Sequence, residues 1–450
     1  MNTTRGSFSG RIGYIMAVAG SAVGLGNIWR FPYLAAKYGG GIFLLVYILL
    51  TVSFGFTLVI AETALGRKTG LSAISAYQKL SKKHSFIGVI NGIIPILIVP
   101  YYCVIGGWVL KYFAFFLKGG VMEAAQNDFF TNYISSEVEP LIWMVIFIVA
   151  TFIFVLLGVK GIERVSKFLM PMLALLSVII AVYSVTRPGA LAGLKYYLIP
   201  NFSNFSIMTV VAAMGQMFYS LSIAMGILVA YGSYMNKDLD MESSVKQIEF
   251  FDVGIAFVAG LMIIPAVFAF SGGDASSLKA GAGLMFITLP KVFANMGLGN
   301  IIGCIFFLLV FFAAITSAIS LMEASISVFM DRFHWKRTTS CLIMGVLTVL
   351  IGIPCSFGYG IWSNITPLGM SILDFFDFVT NSVLMPIAAL LTCYFVSKVI
   401  GVETIIEEVK LSSQFKRENT FVICIKYIAP LFLIAILISS ILSAFGLIKF

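Results

Sequence analysis

Stretches of eighteen or more predominantly apolar residues recur along the whole of this chain, and they leave it very few folds. The hydrocarbon core of a bilayer is about 30 Å thick, and an α-helix crosses it in about 20 residues. Eleven stretches qualify: residues 11–37, 42–66, 86–117, 141–158, 163–186, 207–234, 246–270, 300–330, 338–355, 366–398 and 420–447. A bilayer holds no water to satisfy backbone polar groups, so apolar segments of this length must be helical. The expectation is an all-α integral membrane protein with about 11 transmembrane helices, numbered here one to eleven. They form a single membrane domain over residues 1–450.

Composition agrees, with 60% hydrophobic and only 11% charged residues, where soluble domains carry about 25% charge. The net charge of +9 comes from basic residues gathered in a few short connections, so topology explains it and no nucleic-acid partner is expected. Cys103, Cys304, Cys341, Cys355, Cys393 and Cys424 lie in or beside apolar segments at irregular spacing, as small buried hydrophobes do. His84 and His334 stand in polar connections without partners. There is no nucleophile–base pair, phosphate loop or metal-binding spacing, so an enzyme is not expected. The first apolar stretch is too long for a signal peptide and lacks a small-residue cleavage motif. It is expected to remain as the first membrane helix.

Orientation follows from where Lys and Arg collect. One side receives Arg67, Lys68, Lys79, Lys82 and Lys83, then Lys160, Arg164 and Lys167, then Arg332, Lys336 and Arg337, then Lys410, Lys416 and Arg417. The connection at 118–140 falls on the other side and holds Glu123, Asp128, Glu137 and Glu139 against Lys118. The N-terminus is therefore expected in the cytoplasm of a cell with this protein in its inner (plasma) membrane. Eleven helices would place the C-terminus outside. Between helices seven and eight, residues Ala282 to Phe293 read as a helix too short to span, expected to cap the outer face.

Two helices are poorly suited to continuity. Helix one contains Gly20-Ser21-Ala22-Val23-Gly24-Leu25-Gly26-Asn27, and helix six contains Ser220-Leu221-Ser222-Ile223-Ala224-Met225-Gly226. Glycine costs a helix interior about 1 kcal/mol relative to alanine. Their separation by five helices suggests two five-helix repeats, residues 11–186 and 207–398, with corresponding first helices broken and an accessory helix eleven at 420–447. Freed carbonyls at such a break can ligate a bare cation, and freed amides at a half-helix N-terminus can hold a carboxylate. Paired broken helices near the midplane mark transporters.

The segment Gly20 to Gly41, GSAVGLGNIWRFPYLAAKYGGG, resembles the neurotransmitter:sodium symporter family, in particular its bacterial amino-acid transporters. Ala61-Glu62-Thr63, Tyr101-Tyr102, Gly215-Gln216 through Gly226, Phe312 to Ser317 and Leu373 to Asp377 fit the same family. The resemblance implies a 5+5 inverted repeat and sodium-coupled uptake of a small, hydrophobic or aromatic L-amino acid by alternating access. It implies two sodium ions. One would be held by the Ala22 carbonyl, Asn27, Ser220 and Asp252 with the substrate carboxylate. The other would be held by the carbonyls of Gly20, Val23 and Ala313 and the hydroxyls of Thr316 and Ser317. Substrate carboxylate is expected at the amides of Leu25 and Gly26 and the Tyr102 hydroxyl. Its ammonium is expected near Ala22, Tyr219, Ser220 and Ser222, and its side chain among Ile98, Tyr102, Tyr219, Met225, Ser317 and Leu321.

The resemblance further implies that Asp252 stands in for chloride beside Tyr47, Gln216 and Ser220, so that chloride is not required. Glu62 is the structural acid expected to tie down freed amides of helix six. Arg30 and Asp377 are expected as the outer gate above Tyr102 and Tyr219. Arg5 and Asp331 are expected as the inner gate near Tyr234, with Phe8 packing it, and Glu323 is expected in the inner water pathway. Ala224 stands where bacterial members with roomy pockets commonly have glycine, and it bears on substrate size. Two rival readings stay open. One is a proton-coupled carrier of the same fold using Asp252 or Glu62. The other is an amino-acid sensor that binds without translocating.

Overall fold

The structure is a computed structural model, and it describes residues 6–272 and 282–445. Among the described residues it is helical throughout, with a single isolated bridge between Gly40 and Pro200. Among the described residues nine helices are long and apolar enough to cross a membrane: Gly41–Thr69, Lys82–Leu117, Glu139–Leu156, Gly158–Val185, Met241–Ser271, Gly299–Phe333, Arg337–Phe357, Ile372–Val399 and Glu418–Ala444. A tenth crossing is the pair Arg11–Ala22 and Gly26–Lys37, bent by 54°. The sixth expected stretch forms two shorter helices, Ile207–Ser220 and Ile227–Gly232. Each expected stretch thus coincides with helix, and both breaks fall at the glycine- and serine-rich sequences. Residues 446 and 447 of the last stretch lie outside the described residues.

The ends differ from expectation where polar residues continue a helix. Helices four and five are separated by Leu157 alone, so Lys160, Arg164 and Lys167 sit on the first turns of helix five instead of a loop. Helix seven begins at Met241, before its apolar run, and Asp240 caps it by accepting the Ser243 amide at 2.9 Å. The short outer helix is present as Leu284–Ala294.

One continuous hydrophobic core runs through the molecule, while Leu49, Ile146, Ile153, Val182, Leu342, Leu350 and Leu431 remain exposed on the helix flanks. Exposed leucine and isoleucine on spanning helices are what lipid contact requires.

Small residues set how closely the helices approach. A Cβ at Gly66 would lie 2.0 Å from the Val229 carbonyl, and one at Gly232 would lie 2.3 Å from that of Thr63. Helix two and the second half of helix six therefore pack backbone to backbone. This brings Glu62 against the break in helix six.

Candidate functional site

The break in helix one opens at Val23, the C-terminal cap of Arg11–Ala22, and helix resumes at Gly26. Of the first amides of the resumed helix, that of Asn27 turns back to the Gly24 carbonyl inside the break at 3.2 Å. The break in helix six covers residues 221–226. Ser222, Ala224 and Gly226 there take φ of 55°, 60° and 68°. A left-handed conformation costs an L-residue roughly 1–2 kcal/mol, and it persists only where the surroundings over-determine it. Two contacts do so. Glu62 Oε1 accepts the Ala224 amide at 2.9 Å, and the Ser222 hydroxyl lies 3.0 Å from that of Ser21 across the gap between the breaks.

All eleven residues expected at the substrate border one small cavity, of about 30 Å³, between the breaks: Ala22, Leu25, Gly26, Ile98, Tyr102, Tyr219, Ser220, Ser222, Met225, Ser317 and Leu321. Ser21, Gly24, Asn27 and Ile227 complete the wall. Hydroxyls and backbone groups collect at the breaks, and Ile98, Met225, Ile227 and Leu321 supply the apolar side. The Tyr102 hydroxyl is buried beside Gly24 and faces the Ser317 hydroxyl and the Leu25 backbone amide.

At one end of this cavity Asn27, Ser220 and Asp252 form a buried cluster. Asn27 Nδ2 donates to Asp252 Oδ1 at 2.8 Å. The Ser220 hydroxyl lies 3.1 Å from Asn27 Oδ1 and also reaches Asp252 Oδ1. The Tyr47 hydroxyl donates to Asp252 Oδ2 at 2.9 Å. Three donors on one buried carboxylate are what a charge in a membrane core needs. Gln216 is not among them. Its Nε2 donates to the Gly26 carbonyl at 3.1 Å, which also accepts the Phe31 amide across the π-helical turn that restarts helix one.

The second group of oxygens lies between helices one and eight. The Ser317 hydroxyl is 3.4 Å from the Gly20 carbonyl and 3.2 Å from that of Ser21. Thr316 Oγ1 donates within its own helix to the carbonyls of Phe312 and Ala313, at 2.9 and 3.2 Å. A Cβ on Gly20 would lie 3.4 Å from that of Thr316, so these two backbones are close. Val23 caps the first half of helix one on the same side. Both groups are built of hard oxygens and contain no sulfur or imidazole, the donor chemistry of alkali and alkaline-earth cations.

The two ends of the molecule differ. On the outer side a cavity of about 530 Å³ reaches down to Leu25, Tyr102 and Tyr219. Arg30 and Asp377 both border it but form no ion pair. The Arg30 guanidinium lies 5.0 Å from the centre of the Tyr219 ring, and Asp377 accepts from Asn381 Nδ2 at 2.6 Å.

The inner side is packed shut. Phe8 is buried edge-on against Tyr14, Tyr231 and Tyr234, and its amide donates to the Tyr234 carbonyl at 3.2 Å. Arg5 lies outside the described residues. Asp331 accepts the Ser72 amide at 2.6 Å. Glu323 does not face an aqueous path. It is fully buried, accepts the Tyr234 hydroxyl at 2.7 Å, and pairs with Arg337. The Arg337 side chain also donates to the Val155 carbonyl at 3.0 Å near the end of helix four. Losing the partner of a buried ion pair is costly, and Arg337, the first residue of helix nine, supplies the opposite charge here.

The sequence assigns no site role to Ser21, Arg337, Asn381 or Tyr101, although Tyr101 falls within a family motif. Ser21 stands next to the expected ligand Ala22 and carries a hydroxyl, which was a usable signal. Arg337 reads as one more basic residue of a cytoplasmic connection, and nothing in the sequence marks it as half-buried.

The sodium:neurotransmitter symporter family model matches residues 5–133 and 131–447. The chain is 34% identical over 440 residues to the uncharacterized sodium-dependent transporter YhdH of Bacillus subtilis, covering 96% of this chain and 97% of that one. It is 27% identical over 429 residues to the human sodium- and chloride-dependent GABA transporter 2, covering 84% of this chain and 70% of that one. Among solved structures, MhsT in complex with L-phenylalanine superimposes with a TM-score of 0.87 at 36% identity, covering 97% of this chain and all of that one. The chain belongs to the sodium:neurotransmitter symporter family and is a sodium-dependent, multi-pass membrane transporter.

Proposed function

We propose that this protein carries a hydrophobic or aromatic L-amino acid into the cell together with two sodium ions. The observation that carries this reading is the single cavity between the two breaks. It has backbone and hydroxyl oxygens at one end and an apolar wall of Ile98, Met225, Ile227 and Leu321 at the other. A small-molecule site is typically this combination of a few placed polar groups and an apolar lining. That MhsT has been captured with L-phenylalanine supports the substrate class.

In this reading, sodium stands as co-substrate at the Asn27–Ser220–Asp252 cluster and at the Gly20, Val23, Ala313, Thr316 and Ser317 oxygens. Asp252 carries the negative charge that chloride would otherwise supply. The two five-helix repeats, with helix eleven outside them, move against one another. Sodium orders helices one, six and eight around the substrate, Arg30 closes on Asp377, and the contacts of Phe8, Tyr234 and Asp331 then part toward the cytoplasm. Differential stabilisation of the two states by sodium provides the coupling. The basic ends of the helices face the cytoplasm of the plasma membrane, and the open cavity above Tyr219 faces outward.

The test is a thermal-shift screen of purified protein against the twenty amino acids in sodium and in potassium. A ligand that binds only the native state raises its stability in proportion to occupancy. Stabilisation by one or a few apolar amino acids in sodium alone is expected. Equal stabilisation in both salts would remove sodium linkage and favour proton coupling. Sodium-linked binding without uptake into vesicles would favour a sensor.

A further inference from the structure

The outer cavity holds a group that the gate reading does not use. Asn381 lies four residues after Asp377, in a π-helical turn, Phe378–Leu384, of helix ten. Such widened turns concentrate at functional sites. Its Nδ2 donates to Asp377 Oδ1 at 2.6 Å and to the Tyr101 hydroxyl of helix three at 3.2 Å. The Tyr101 hydroxyl in turn lies 3.1 Å from Thr380 Oγ1. The Asp377 carboxylate is thereby fixed to helix three through one amide. Arg30 waits on the other side of the same cavity over Tyr219.

We propose that Asn381 is a positioning residue of the outer gate, holding Asp377 where Arg30 can close on it. The proposal rests on the reading of Arg30 and Asp377 as that gate. An ionised carboxylate has about four acceptor positions and the asparagine takes one, so the amide and the guanidinium can bind Asp377 together. A neutral amide also fixes the carboxylate without neutralising it, which leaves its attraction for Arg30 intact. Asn381 Oδ1 is buried with no partner among the described residues. A guanidinium brings five N–H donors in a planar fork and can satisfy this oxygen as well as Asp377. Without Asn381 the carboxylate would sample several rotamers, and closure would have to order it at the moment Arg30 arrives.

The experiment follows closure through the reactivity of an introduced Ala212→Cys, which borders the outer cavity, toward a membrane-impermeant maleimide. Labelling is measured in potassium, in sodium, and in sodium with L-phenylalanine. Sodium with L-phenylalanine is expected to slow labelling of otherwise wild-type protein. Asn381→Ala should reduce that protection and raise the apparent KM for uptake about fivefold, with the potassium labelling rate and the melting temperature in potassium unchanged. Asn381→Gln keeps the amide and should recover part of the protection. Tyr101→Phe removes the second anchor and should shift protection in the same direction, and it carries the test if Asn381→Ala does not fold.

Unchanged protection in Asn381→Ala, when Arg30→Ala and Asp377→Asn both lose it, would overturn the proposal and leave the gate standing. Unchanged protection in all three would overturn the gate reading itself. No protection of the wild type by L-phenylalanine would overturn the substrate reading on which both depend.

Discussion

Glu62 Oε1 accepts the backbone amide of Ala224 at 2.9 Å, and both residues are fully buried. A side chain of helix two thus replaces a hydrogen bond that the broken helix six cannot make for itself. Unpaired backbone groups in a bilayer cost several kcal/mol each, so the break persists because this carboxylate meets it.

Glu62→Ala should therefore lower stability by about 1–3 kcal/mol, the usual penalty for orphaning a buried donor. Glu62→Gln retains an acceptor oxygen and should cost less than Glu62→Ala. Thermal unfolding in detergent checks both. Equal melting temperatures for Glu62→Ala and wild type would mean that another acceptor serves Ala224.

Ala224 itself is held at φ 60°, in a region that glycine occupies freely. Ala224→Gly should relieve local strain, and since Ala224 borders the larger cavity and not the one between the breaks, the loss of its methyl should widen the approach to the site. The expected outcome is unchanged or slightly raised stability, within about 1 kcal/mol, together with a shift in preference toward bulkier amino acids. Competition between L-tryptophan and L-leucine for uptake reads the shift. A preference that moves toward smaller substrates would place the Ala224 methyl away from the substrate.

Glu323 and Arg337 form an ion pair whose acid is fully buried and whose base is about one-fifth exposed. Removing one member of a buried pair leaves the other unpaired, at about 3–5 kcal/mol. Glu323→Gln and Arg337→Gln should each lower the melting temperature strongly. The double variant should be less destabilised than the sum, with a coupling of about 1–3 kcal/mol. Additive losses would show that the Tyr234 and Val155 contacts carry the stabilisation instead.

The architecture was legible because the membrane leaves so little choice. Apolar length alone located the helices, and the clustered glycines and serines located the breaks, since helix interiors tolerate those residues poorly. The residues that line the cavity between the breaks were legible only through the family motifs. No periodicity would have brought Ile98, Met225 and Leu321 to one cavity. Pairings between helices were the illegible part. Gln216 lies one turn from Ser220, yet it turns to the Gly26 carbonyl, a contact between helices that only the folded molecule shows. Glu323 looked like a water-facing acid because its partner stands beyond a turn, among charges that read as topogenic. Arg30 and Asp377 were expected as a gate, but whether a gate is closed depends on conformation, which a sequence does not specify.

Asp252 supplies the last prediction. Its carboxylate takes donors from Asn27, Tyr47 and Ser220 and is fully buried. These groups are arranged around one negative charge, so a small anion should be able to replace the carboxylate once the side chain is shortened. Asp252→Ser keeps the cluster polar and removes the charge. Uptake by this variant in chloride-free buffer should fall by tenfold or more, roughly 1.4 kcal/mol, and chloride should restore part of it, while the wild type should be indifferent to chloride. Tyr47→Phe removes one donor without changing charge. It should weaken chloride rescue in the Asp252→Ser background and cost the otherwise wild-type protein less than Asp252→Ser does. Uptake by Asp252→Ser that matches wild type in chloride-free buffer would refute the charge-balancing role. Loss of uptake that no chloride concentration repairs would instead leave Asp252 as a direct ligand of sodium, whose oxygen an external anion cannot replace.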